Sequence, residues 1–134
     1  MIAYASTALR NPERTYRQID VAGRAAQAAD GAGLVQLLYE ELIASLRAAA
    51  FAAETGNRVA RSERVTRATT ILFALEAGLD FDAGGDVSRT LAALYASARR
   101  QVLSASLADD PAPFREVAAD LDEIAGAWAS LGTA

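Results

Sequence analysis

The chain has 134 residues, of which 52% are hydrophobic, and its formal net charge is −4. This length and composition predict one domain with a hydrophobic core. Cysteine and histidine are both absent, which excludes disulfides and removes the commonest metal ligand and the commonest general base. All basic residues are arginine, and the acidic balance argues against a nucleic-acid-binding protein.

The first part of the chain lacks the pattern of a packed helix. Ile19 and Val21 alternate instead of following a helical stripe, and Gly23 opens a polar, alanine-rich run. We therefore expect residues 1–30 to form a flexible, loosely docked N-terminal arm and residues 31–134 to form the folded domain. No apolar run reaches the roughly 20 residues of a membrane span.

Four long helices are predicted after this arm, because apolar residues recur along each at spacings of three and four. The first spans about residues 31–54, with Asp30 suited to cap its start and Gly56 to stop its end. The others are expected at about Asn57–Gly78, at about Gly85–Leu107, and after Asp109-Asp110-Pro111, where Phe114, Val117, Leu121, Ile124, Trp128 and Leu131 form the stripe.

The two middle helices carry the clearest apolar ladders. The ladders are Val65, Ala68, Leu72, Leu75 and Leu79, then Val87, Leu91, Leu94, Ala98 and Val102. Because the connection between them is short, the two helices must return antiparallel and share these stripes. The pattern predicts an all-α fold, an antiparallel up-and-down four-helix bundle whose core is rich in alanine.

The connection Asp80-Phe81-Asp82-Ala83-Gly84-Gly85 has the beginning of a calcium loop. Counted from Asp80, however, positions 5 and 12 are Gly84 and Leu91, where oxygen ligands are needed. We interpret the segment as a tight turn in which the glycines supply unusual backbone angles. No metal and no cofactor are expected.

Other candidate functional residues have simpler structural interpretations. Arg58, Arg61, Arg64 and Arg67 recur every third residue and so rotate around a helix, which favours a solvated surface over a phosphate-binding stripe. No base is available to activate a serine, so enzymatic activity is not expected. Trp128 lies on its stripe and should pack in the core. Tyr39 and Tyr95 lie beside their stripes, where they could cap the core edge or floor a groove for a partner helix.

An ordered set of motifs resembles the family of flagellin-specific export chaperones called FliS. The motifs are Leu37-Leu38-Tyr39-Glu40, Leu75-Glu76-Ala77-Gly78-Leu79-Asp80, Gly84-Gly85-Asp86, Leu91-Ala92-Ala93-Leu94-Tyr95, Val102 to Asp110, and Ala125-Gly126-Ala127-Trp128. They occur in the order and at the spacing of the family over about residues 30–131. One departure is Asp30-Gly31, where the family usually has Ser-Pro.

This resemblance implies a cytoplasmic chaperone that binds the disordered C-terminal segment of flagellin, prevents premature polymerisation and delivers flagellin to the flagellar type III export gate. It implies no membrane insertion and no nucleic acid, with a flagellar regulator and a second copy of the chain as further candidate partners. The alternative is a non-enzymatic helical adaptor that only self-associates or scaffolds other proteins.

The same hypothesis places a partner-binding groove on the flank of the bundle. Its expected lining is Leu38, Tyr39, Leu42, Leu75, Leu79, Leu91, Leu94 and Tyr95. By the resemblance, the arm covers this groove through Tyr16 and Ile19 when cargo is absent, with Tyr4 as a rival to Tyr16. Passive holding is expected, because no nucleotide-binding loop is present.

Overall fold

A computed structural model describes residues 31–133 and the side chains of residues 33–128. Within this range the chain forms four helices and no strand: α1 (Gly31–Glu54), α2 (Arg58–Ala77), α3 (Phe81–Ala108) and α4 (Pro111–Thr133). The predicted all-α fold is confirmed. The expected arm, with Tyr16 and Ile19, and the expected cap at Asp30 lie outside the described residues.

Contacts between residues divide the chain into two units, Met1–Leu38 and Tyr39–Ala134. Residues 31–38 of α1 belong to the first unit. All of the packing described below lies within the second unit, which contains the rest of α1 and the other three helices.

The helices of the second unit form an antiparallel bundle. Arg115, near the start of α4, donates two hydrogen bonds of 2.6 and 3.0 Å to Glu54 at the end of α1. At the other end of α4, Trp128 packs on Tyr39, with ring centroids 4.8 Å apart. Helices α1 and α4 therefore run in opposite directions, as the up-and-down arrangement predicts.

Large side chains and alanines share the core of the bundle. The largest fully buried side chains are Tyr39, Leu42, Leu46, Leu72, Tyr95, Val102, Phe114 and Leu121. Ala49, Ala50, Ala68 and Ala98 are buried among the helices as well. Because an alanine projects only a methyl group, neighbouring helices can approach closely at these positions.

The inward stripe of α3 differs from the predicted ladder, because Val87, Leu91 and Leu94 are not fully buried. Its buried residues are Ser88, Tyr95, Ala98, Val102 and Ala105. Val87 was predicted to face inward but is 65% exposed. The polar tips of Ser88 and Tyr95 are satisfied inside the protein, since Ser88 Oγ donates to the Asp80 carbonyl at 2.8 Å and the Tyr95 hydroxyl bonds to Tyr39. Apolar periodicity does not predict that Ser88 and Tyr95 are buried, because both residues carry a polar hydroxyl group.

The connection between α2 and α3 is a helical turn followed by a kink. The Asp80 carboxylate caps the turn by accepting a 3.0 Å hydrogen bond from the Ala83 amide, in keeping with a structural turn. Helix α3 consequently begins at Phe81, earlier than the predicted start near Gly85. Only Gly85 leaves the helical conformation, with φ 52° and ψ −122°, so one of the two expected glycine angles is unusual.

One of the four regularly spaced arginines is buried, so the prediction of a solvated arginine surface is wrong for it. Arg67 is 5% exposed, and its Nε donates to Glu41 Oε1 at 2.5 Å. Arg61 is partly buried and pairs with Asp109 at the end of α3. The other two arginines of the series are exposed as expected. Arg67 can face inward because Glu41 of α1 neutralises it there.

Gly84 provides a test of the connection, because a side chain has no room there. A Cβ at Gly84 would lie 2.0 Å from Ser88 Oγ. We expect Gly84→Ala to lower the free energy of unfolding by about 1–3 kcal/mol, as overpacking does. Gly126→Ala is the control, since nothing lies within 4 Å of its Cβ, and alanine should raise stability there by up to about 1 kcal/mol. Urea denaturation measures both, and equal effects would contradict this account of the turn.

Candidate functional site

The structure separates the residues predicted to line the groove into two groups. Tyr39, Leu42, Leu75 and Tyr95 are buried, whereas Leu38, Leu79, Leu91 and Leu94 are partly exposed. The predicted groove set is thus largely a set of core and core-edge residues. The burial of these residues does not test whether they bind a partner, so their role in partner binding stays a prediction.

Tyr39 and Tyr95 meet in the core. Their hydroxyl groups are hydrogen bonded at 2.6 Å, and their rings are T-shaped with centroids 6.3 Å apart. Trp128 is half-buried against Tyr39. The cluster therefore joins α1, α3 and α4, and each phenol has the partner that a buried tyrosine requires. From the sequence, the two tyrosines were equally suited to cap the core edge or to form the floor of a groove. The structure places both rings in the core.

Burial also decides the protonation of this pair. It raises the pKa of the Tyr39 hydroxyl, and the hydrogen bond with Tyr95 raises it further. The pKa of Tyr95 is raised by burial as well, although its bond with Tyr39 acts in the opposite direction. Both phenols are thus held in the neutral form in the folded protein.

The tyrosine pair predicts how stability depends on alkaline pH. Since the chain has neither lysine nor cysteine, its tyrosines are the side chains that titrate near pH 10. Above about pH 10 the unfolded chain loses phenol protons that the folded chain keeps, so the free energy of unfolding should fall as pH rises further. Each tyrosine contributes at most about 1.4 kcal/mol per pH unit.

Denaturant titrations between pH 8 and pH 11 measure this effect, with tyrosinate absorbance to follow ionisation. The matched control is the double variant Tyr39→Phe with Tyr95→Phe, which lacks both buried phenols of the described residues and should lose most of the alkaline fall. A fall of the same size in the double variant would show that other groups cause it.

Several large apolar side chains point away from the core. They are Phe51, Val59, Phe73, Phe81, Val87, Leu103 and Leu107. None of them was in the predicted groove. Scattered exposed apolar residues are normal on a protein surface, so an argument for a site needs those that share one face.

Helical spacing places Phe73 and Leu103 on such a face. The Arg99 guanidinium carbon lies 4.2 Å from the centre of the Phe73 ring, and Leu103 follows Arg99 by one helical turn. Ser62, Thr66, Thr69 and Phe73 recur along α2 at helical spacing, as Ala96 and Leu103 do along α3. The hairpin face, as we call it, consists of Ser62, Thr66, Thr69, Phe73, Ala96 and Leu103.

The hairpin face is apolar in character although half of its residues carry hydroxyl groups. Thr69 Oγ1 donates to the Val65 carbonyl at 3.0 Å, which occupies the hydroxyl within its own helix. The charges next to Phe73, Arg99 and Glu76, are paired with each other, whereas Arg100, between Ala96 and Leu103 on α3, is exposed. Phe73 is nevertheless 59% exposed. This surface combines the Phe73 ring and the Leu103 side chain with the smaller side chains of Ser62, Thr66 and Thr69.

The outer side of α4 is different in kind. Glu116, Asp120 and Glu123 recur along it at helical spacing, and all three are exposed. An apolar segment would have to desolvate these carboxylates to bind there, at a substantial cost. The hairpin face is therefore better suited than α4 to an apolar partner.

Residues 31–133 show neither a metal-binding cluster nor a membrane-spanning helix. No cluster of three or more acidic, histidine or cysteine side chains in this range could hold a metal ion. No helix in the same range has the length and apolar character needed to cross a membrane.

Comparisons with known proteins agree with the sequence resemblance. A family model described as "Flagellar protein FliS" matches residues 11–134. The flagellar secretion chaperone FliS of Salmonella typhimurium is 32% identical over 119 residues, which cover 88% of this chain and 87% of the relative. The proteins of that name from Vibrio cholerae and Escherichia coli are each 28% identical, covering 90% and 86% of this chain and 88% and 85% of their own lengths.

Proposed function

The chain belongs to the FliS family of flagellar secretion chaperones, and we propose that it binds the disordered C-terminal segment of flagellin in the cytoplasm. Binding would keep flagellin from polymerising prematurely and would deliver it to the flagellar type III export apparatus. The observation that carries this proposal is the hairpin face, where the exposed side chains of Phe73 and Leu103 occur together.

The physical argument concerns what a folded bundle can offer to an unfolded segment. The core residues of the second unit are buried, whereas Phe73 and Leu103 of the hairpin face are 59% and 51% exposed and so are available to another chain. An amphipathic segment that lies across this face would bury its apolar side and leave its polar side in water. Ordering such a segment costs conformational entropy, which a large contact area can offset.

The groove predicted from sequence stays part of the proposal in a modified form. Leu79, Leu91 and Leu94 of the second unit are partly exposed and could touch cargo directly. Tyr39, Leu42, Leu75 and Tyr95 are buried, so they would support the surface from below. The export gate, a flagellar regulator and a second copy of the chain remain candidate partners within the same proposal.

Binding of flagellin with and without its C-terminal segment tests the proposal. Titration calorimetry of the purified chain with the flagellin of its own source should give saturable binding that is lost when the segment is deleted. Equal binding of both flagellins would contradict the proposal. Absence of binding together with a stable oligomer of the chain would favour the self-associating adaptor, which sedimentation velocity detects.

A further inference from the structure

Phe73 is an exposed aromatic residue that the protein holds in place. The Arg99 guanidinium lies over one side of its ring at 4.2 Å, within cation–π distance. Arg99 is in turn paired with Glu76, one helical turn after Phe73 on α2. The ring is still 59% exposed, so its other side is open to a partner.

This arrangement reduces the freedom of the ring before any partner arrives. An unsupported phenylalanine on a helix surface exchanges rotamers and loses that freedom when it is bound. Here the guanidinium favours one ring position, and the Glu76 carboxylate favours one guanidinium position. A side chain that is ordered in advance makes a stronger anchor than a mobile one of the same size.

The surroundings of Phe73 are those of a contact centre. Thr69 precedes Phe73 by one helical turn on α2, and its small side chain allows another backbone to come close. Well-packed aromatic residues with a ring of weaker contacts that exclude water commonly dominate binding energies. Phe51 has a similar exposure of 64% but lies on α1, outside this face.

We propose that Phe73 is the anchor of the flagellin-binding surface and that Arg99 is its positioning residue. The open side of the ring would receive an aliphatic or aromatic side chain from the C-terminal segment of flagellin. This inference rests on the proposed function, because it names the residues that perform the binding.

Two alanine variants at equally exposed phenylalanines test the anchor. The probe is a synthetic peptide of the C-terminal segment from the flagellin of the same source. Phe73→Ala should weaken its binding by roughly 30-fold, the loss typical of a hot-spot residue, whereas Phe51→Ala should change it less than about 2-fold. Phe73→Leu keeps apolar bulk without the ring and should fall between Phe73→Ala and the unaltered chain. Circular dichroism confirms that each variant is folded.

Arg99 is tested by its coupling to Phe73. Arg99→Gln should weaken peptide binding by about 3-fold, as loss of an exposed cation–π contact does, and should have no further effect in a Phe73→Ala background. Arg89→Gln is the matched control, since Arg89 forms an ion pair with Asp86 on the same helix but away from Phe73.

The outcomes separate the two levels of the proposal. If the unaltered chain does not bind the peptide, the proposed function and this inference both fail. If it binds and Phe73→Ala binds equally well, only the anchor is wrong. If Arg99→Gln weakens binding by the same factor with and without Phe73, then Arg99 acts independently and is not a positioning residue.

Discussion

The hydrogen bond between Tyr39 and Tyr95 is the constraint on which the packing of the bundle depends. A buried phenol without a partner would cost about 1–3 kcal/mol, so the two helices must bring these hydroxyl groups together inside the core. Tyr95 then faces inward with Ala98 and Val102. Helical periodicity leaves Leu103 on the outer side of α3. The exposed apolar surface thus follows from a polar contact in the core.

Local signals in the sequence are sufficient to predict most of the fold. Gly56 ends α1 with a φ of +74°, and the Asn57 side chain accepts a hydrogen bond from the Ala60 amide at 3.0 Å. Both signals act over a few residues, so sequence alone predicts the boundary between α1 and α2. The start of α3 is harder to predict, because Gly84-Gly85 suggests a turn while Asp80 is equally typical of a helix cap.

Residue pairs that lie far apart in the sequence cannot be predicted from such local signals. Arg67 and Glu41 lie 26 positions apart, and Tyr39 and Tyr95 lie 56 positions apart. Each residue alone has the pattern of an exposed or marginal position, and only the approach of two helices makes burial favourable. A buried ion pair contributes little net stability, yet removing one partner leaves a costly unpaired charge. Such pairs therefore fix how α1 sits on its neighbours.

The candidate site shows a further limit of periodicity. Apolar stripes identify the side of a helix that packs in the core, and the groove predicted from them consisted mainly of core residues. A surface that receives another chain must remain exposed, and its signal in sequence is weaker. Here that signal was the run Ser62, Thr66, Thr69 and Phe73, a helical stripe without a formal charge in a helix that otherwise carries many.

Charged residues are distributed unevenly over the surface of the bundle, so that its surface contacts are of two kinds. Helices α1 and α4 are linked by exposed ion pairs, Arg115 with Glu54 and Arg47 with Asp122, and salt screens such pairs. The two charges next to Phe73 on this face, Arg99 and Glu76, are already paired with each other, so burying the ring requires little new desolvation of charge. An apolar segment that bound this face, as proposed, would leave the ion pairs between α1 and α4 intact.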